Sequence, residues 1–111
     1  MIKTIVVAHR KEGMTRKEFS DYWLNKHGPL AARLIPGVRR YVQNHLIEVP
    51  GMEYDGDGIV EMWYDDVESW QKSLKAVRSS RELGMDGANF CSMSKRGQEW
   101  VVEEHVIIGK K

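Results

Sequence analysis

The apolar positions of this chain switch between two rhythms, and the switches divide it into elements. "IKTIVVAHR", residues 2–10, is dense in β-branched side chains and predicts a strand. Phe19, Trp23, Leu30 and Leu34 then recur at helical spacing within residues 16–35 and predict an amphipathic helix with one buried stripe. "IPG" at 35–37 ends that helix. Residues 38–48 and 58–65 read as the second and third strands, with a turn-rich loop over 49–58 between them. Val67, Trp70, Leu74 and Val77 mark a second amphipathic helix, with Asp65 and Glu68 as its capping signal. Residues 79–98 lack a clear period and are assigned a short helix and a loop, and "EWVVEEHVII" at 99–108 is the last strand. The order β-α-β-β-α-β predicts the ferredoxin-like α+β plan: an antiparallel four-stranded sheet with both helices on one face, in a single domain over residues 1–111.

The first helix starts cleanly and then breaks a rule. Thr15 and Glu18 have the spacing of a capping box, and Met14 and Phe19 that of a hydrophobic staple. Gly28-Pro29 falls in the middle of the same helix. Proline has no N–H, and its ring crowds the carbonyl four residues back, so the helix must kink there or end and restart. A restart leaves free N–H groups around Leu30 and Ala31 that attract negative charge. His27 lies on the apolar stripe beside this interruption and is expected to face inward. That combination outlines a small-molecule site, and the structural alternative is a hydrogen-bonded core histidine or a C-cap.

The strand patterns pose a second problem. On the second strand, Val38, Val42 and Leu46 share one side, and Tyr41, Gln43, His45 and Ile47 the other. On the third, Val60, Met62 and Tyr64 oppose Ile59, Glu61 and Trp63. Two helices cover one face only, and exposed apolar patches of this size are rare on monomers. The simplest cover is the same face of a second copy, so a homodimer joined sheet to sheet is expected.

Composition narrows the partners. The chain has 111 residues and a formal net charge of +1, which implies no strongly basic face and no nucleic-acid partner. No apolar run is long enough to span a membrane, and the N-terminal apolar segment is too short for a secretory signal. The single cysteine, Cys91, rules out an intrachain disulfide and suits a reducing, cytoplasmic setting. His9, His27, His45 and His105 are scattered without metal-ligand spacing, so no metal site is expected. Glycine-rich nucleotide motifs and a nucleophile elbow are missing, so no cofactor is expected either, although one histidine suffices as a haem ligand.

With these elements in place, the segments "RKEGMTRKEFSDYWLNKHGPLAARL", "RRYVQNH", "DGIVEMWYDD" and "DGANF" together resemble the EthD-like family, named for a role in ethyl tert-butyl ether degradation. The resemblance covers nearly the whole chain. It implies a dimeric α+β barrel, and more distantly a likeness to methylmuconolactone isomerases, polyketide cyclases and cofactor-independent monooxygenases. It also implies chemistry at His27, a pocket-lining Tyr41, and polar pocket roles for Asn44 and His45. The isomerases' pocket cysteine on the third strand has no counterpart here, since Cys91 lies elsewhere.

The residues, with what the resemblance implies, lead to the expectation of a cofactor-independent enzyme for a small hydrophobic or aromatic, activated carbonyl or polyketide-like compound. Isomerisation, cyclisation and decarboxylation all need a proton moved and an enolate-like charge held. His27 is the expected acid–base, with His45 and Tyr41 as further catalytic candidates. Arg10, Asn44, Glu61, Trp63 and Trp23 are candidate substrate-binding residues. Glu61 is costly to bury unpaired, and Arg10, Arg39 and Arg40 are the candidate partners for it. Two other readings stand beside this one: an oxygen- or haem-dependent oxidoreductase of a catabolic pathway, and a non-catalytic dimeric accessory protein that carries a small ligand.

Overall fold

The structure is a computed structural model that describes residues 1–95 and 97–109. Its elements, in chain order, are β1 (Ile2–Ala8), α1 (Arg16–Tyr22), a π-helical turn (Trp23–His27), α2 (Gly28–Leu34), β2 (Arg40–His45), β3 (Gly58–Tyr64), α3 (Val67–Ser79), α4 (Arg81–Ala88) and β4 (Glu99–Val102). The strands form one antiparallel sheet in the order β2-β3-β1-β4, the ferredoxin-like arrangement expected from the sequence. No helix among the described residues is long and apolar enough to cross a membrane.

Register decides which side chains meet. Tyr41 lies opposite Met62, Gln43 opposite Val60, and Val6 opposite Val60 on the other side of β3. These residues, with Thr4, Ala8 and His45, therefore share the face under the helices. There they meet Phe19, Trp23 and Phe90, which with Val60 make the buried core. The opposite face carries Lys3, Ile5, Val7, Val42, Asn44, Ile59, Glu61 and Trp63, and no helix lies on it.

Several strand ends fall short of the expected bounds. β4 ends at Val102, whose partner Lys3 lies one residue from the start of β1. Val106, Ile107 and Ile108 are exposed. β1 stops at Ala8, after which Arg10 makes only an isolated bridge to Cys91. β2 covers 40–45 rather than 38–48. The cap of α3 is Asp66, whose carboxylate accepts from the Ser69 N–H at 2.7 Å, while Asp65 is held by Arg39 instead. The expected cap at Asp65 is thus off by one.

The capping box of α1 is as expected: Thr15 accepts from the Glu18 N–H, and Glu18 accepts from the Thr15 N–H. The Gly28-Pro29 interruption is resolved in a different way from a break and restart. His27 and Gly28 keep right-handed helical angles, and one π turn, in which the Gly28 N–H reaches back to the Trp23 carbonyl, absorbs the proline. The continuous helical path removes the expected anion site at a restarted N-terminus. A π turn also takes one extra residue, and this rotates everything after it. Ala31, 1% exposed, takes the buried position expected of Leu30, and Leu30 and Leu34 are only half-buried.

Candidate active site

A cavity of about 440 Å³ lies where the helix and its π turn cross the edge strand β2. The helix contributes Leu24, Gly28, Pro29 and Ala32, and β2 contributes Tyr41, Gln43 and His45. No lining side chain carries a fixed charge. The walls are mostly apolar, with three polar side chains from alternate positions of one strand.

Those three side chains form a directed chain of hydrogen bonds. Gln43 Nε2 donates to the Trp23 carbonyl at 2.9 Å and to Tyr41 Oη at 3.3 Å. A carbonyl only accepts, so this end of the amide is the NH₂ and the other end is the oxygen. That oxygen, Oε1, lies 2.8 Å from His45 Nε2. His45 Nε2 must therefore carry a proton, and in the neutral ring the lone pair sits on Nδ1. Burial lowers the His45 pKa from its ordinary 6.5, which favours that neutral ring. The imidazole also rests against the Trp23 indole, with ring centroids 4.5 Å apart.

Tyr41 is the second member. Burial pushes its phenol above the ordinary range, so it stays protonated. Its oxygen accepts from Gln43, so its own proton is not used in that bond. Cys91 lies near Tyr41 in the core fringe, and burial raises its thiol to about 11, so it offers no thiolate at neutral pH.

The other sequence candidates are distributed elsewhere. His27 does not line the cavity and turns toward α4. Its Nδ1 lies 2.8 Å from Asp86 Oδ2, and its ring packs 4.8 Å from Phe90. Tyr22 donates to the other oxygen of Asp86 at 2.6 Å, and Asn89 donates to the Tyr22 hydroxyl. Trp23 is 1% exposed, with its indole enclosed over Gly58 and His45. Arg10 sits in a separate polar cleft of about 510 Å³, and it and Arg16 both bind the buried Asp57 carboxylate.

Asn44, Glu61 and Trp63 lie on the open face of the sheet. Lys3 Nζ donates to Glu61 at 2.6 Å and to Glu104 at 2.7 Å, Asn44 donates to Glu61 at 3.0 Å, and Trp63 Nε1 donates to Glu104 at 3.2 Å. Lys3, rather than the expected arginine, is the partner of Glu61. Two residues of these hydrogen-bond networks escaped the sequence reading. Alternation put Gln43 beside Tyr41 and His45 without revealing its role, and Asp86 lay in the segment without a period.

A family model for the EthD domain matches residues 11–94. A crystal structure of an ethyl tert-butyl ether degradation family protein from Bacillus halodurans is similar, with 29% identity, a TM-score of 0.68, and coverage of 95% of this chain and 99% of that one. A dimeric protein of unknown function and ferredoxin-like fold from Bacteroides fragilis shares 14% identity at a TM-score of 0.62, covering 93% and 95% of the two chains. SnoaB, a cofactor-independent oxygenase from Streptomyces nogalater, shares 14% identity at a TM-score of 0.57, covering 93% and 92%. No curated protein matches the chain.

Proposed function

The chain belongs to the EthD family, and on that premise we propose that it catalyses proton transfer, without a cofactor, on a small uncharged carbonyl or phenol-like compound held in the cavity beside β2. The observation that carries this reading is the Tyr41–Gln43–His45 chain, which leaves a lone pair on His45 and an O–H donor on Tyr41, two residues that line one mostly apolar cavity. His45 Nδ1 takes a proton from a carbon activated by a neighbouring carbonyl. The electron pair moves onto the carbonyl oxygen, and the Tyr41 hydroxyl donates to the oxyanion that forms. The imidazolium then returns the proton to a different carbon, which completes an isomerisation, or the enolate attacks a second carbonyl of the same molecule, which closes a ring. General acid–base assistance of this kind is worth roughly 10²–10⁴-fold. The absence of a charged side chain in the cavity lining supports a neutral reacting end, since Arg10 is committed to Asp57 elsewhere.

The working unit in this reading is a homodimer whose open sheet faces pack together. The half-apolar, helix-free face of the sheet and the dimeric relative from Bacteroides fragilis both support it. The likeness to SnoaB favours a variant in which the deprotonated substrate reacts with dioxygen. Deuterium exchange at the central carbon of a 1,3-diketone, followed by NMR, tests the proton-transfer step without the natural substrate. Exchange faster than the buffer rate, and lost in His45→Gln, is expected. Binding with exchange at the buffer rate overturns catalysis in favour of a ligand carrier, and oxygen uptake with a polycyclic phenol identifies the oxygenase variant.

A further inference from the structure

Gln43 is the one polar cavity residue with no part in the proton transfer itself, yet it touches every group that has one. Its amide spans three partners: the Trp23 carbonyl, the Tyr41 hydroxyl and the His45 ring. We infer that Gln43 is a positioning residue, which fixes the proton of His45 on Nε2 and keeps the Tyr41 proton free, and that the π turn and Gly28 exist to admit its side chain to the helix backbone. This rests on the functional reading above.

A regular helix uses each interior carbonyl for its own N–H partner four residues on. In the π turn the Trp23 carbonyl instead receives the Gly28 N–H, five residues on, and still accepts from Gln43. That carbonyl is the anchor that orients the amide, because it can accept and never donate. With the NH₂ anchored, the oxygen end has one orientation left, toward His45 Nε2. Tyr41 is oriented by the same NH₂ group. Gln43 cannot turn over without placing its oxygen against the Trp23 carbonyl oxygen, losing that bond and drawing the Tyr41 proton onto itself.

Gly28 is the second half of the device. A Cβ at that position would lie 2.8 Å from Gln43 Nε2 and 3.2 Å from the Trp23 carbonyl oxygen. Its angles are ordinary helical ones, so a Cβ there is opposed by space rather than by conformation, and the flexible Gln43 amide is what gives way. Any larger residue pushes the amide away from the carbonyl. The first-turn proline beside it is what makes the helix spend an extra residue at this point.

The test is the tautomer of His45, read from the ring-nitrogen shifts in long-range ¹H–¹⁵N spectra of the intact protein, with His45→Gln identifying its signals among the four histidines. In the unmodified protein, Nε2 is expected in the protonated, pyrrole-like range and Nδ1 in the lone-pair, pyridine-like range, without averaging. Gln43→Leu removes the oriented acceptor, and Gly28→Ala displaces it while leaving residue 43 untouched. Both are expected to shift the two nitrogens toward an averaged pair. Loss of exchange activity in both variants is also expected, about as large as that of Tyr41→Phe, with His27 signals unchanged. An Nδ1-protonated ring in the unmodified protein overturns the inference at once, and so does an unaltered His45 pattern in either variant. Because the tautomer is read without any substrate, an inactive protein with the expected tautomer sinks the functional reading alone, and an active protein with the other tautomer sinks the role of Gln43 and of Nδ1 as the base while the proton-transfer activity stands.

Discussion

At the scale of residues, two histidines compete for one role, and their surroundings separate them. His27 is gripped by Asp86 and covered by Phe90, which ties the helix to α4. His45 lines the cavity, with its Nε2 bonded to Gln43. His45→Gln is therefore expected to abolish exchange, whereas His27→Gln is expected to lower stability and leave most of the activity. An unaffected His45→Gln with a dead, folded His27→Gln would return the chemistry to His27. The pH dependence has a definite sign. The folded His45 pKa lies below its ordinary 6.5, so the catalytic, neutral ring persists below pH 6.5 and activity falls only as pH drops through the depressed value. Folding follows the same direction. The contribution of His45 is fully present above pH 6.5 and is lost as pH falls through the folded value. A midpoint above 6.5 for the acid limb of the rate profile would contradict this environment. Strand alternation alone had grouped Tyr41, Gln43 and His45 on one side. It left open whether that side met the helices, because the strands are apolar on both faces, and only packing against Trp23 resolves the choice.

Elements are legible where one period dominates and illegible where a single residue shifts the phase. The capping box, the staple, the four strands and both long helices follow from spacing. The π turn does not, because it hides inside a helical pattern as one extra residue, and Pro29 signals an irregularity without saying which kind. The phase shift has a measurable consequence. Phe19→Ala, ahead of the turn and fully buried, is expected to cost about 3–5 kcal/mol in denaturant unfolding. Leu30→Ala, behind it and half-buried, is expected to fall below the roughly 2–5 kcal/mol of a buried leucine. Equal losses at the two positions would show that the helix is regular in solution. Removing the cap with Thr15→Ala is expected to cost about 1 kcal/mol by the same measurement. α4 was the least legible element, since its glycines, Gly84 and Gly87, blur the period, and with it went the partner of His27.

The whole molecule poses the question of the open sheet face. That both faces of the sheet carry apolar side chains was readable from the strands, but the polar centre of the open face was not, because Lys3, Asn44, Glu61 and Glu104 come together only through register and the segment after β4. Lys3 and Glu61 side chains are already 13% and 22% exposed in the single chain, and a second copy would desolvate them further. A desolvated ion pair is weak evidence of stability, yet breaking one leaves an uncompensated charge. Lys3→Met is accordingly expected to weaken the dimer markedly, and Lys3→Met with Glu61→Leu is expected to recover most of the loss. Sedimentation as a function of concentration measures both. Acid tests the same contact. The Lys3 ammonium and the Asn44 amide hold the Glu61 carboxyl below its ordinary 4.5, so its contribution is present above pH 4.5 and is lost as pH falls through the lowered value. A dimer whose dissociation constant is the same in Lys3→Met as in the unmodified protein would place the interface away from this face, and would leave the apolar side of the sheet without the cover that its strand pattern requires.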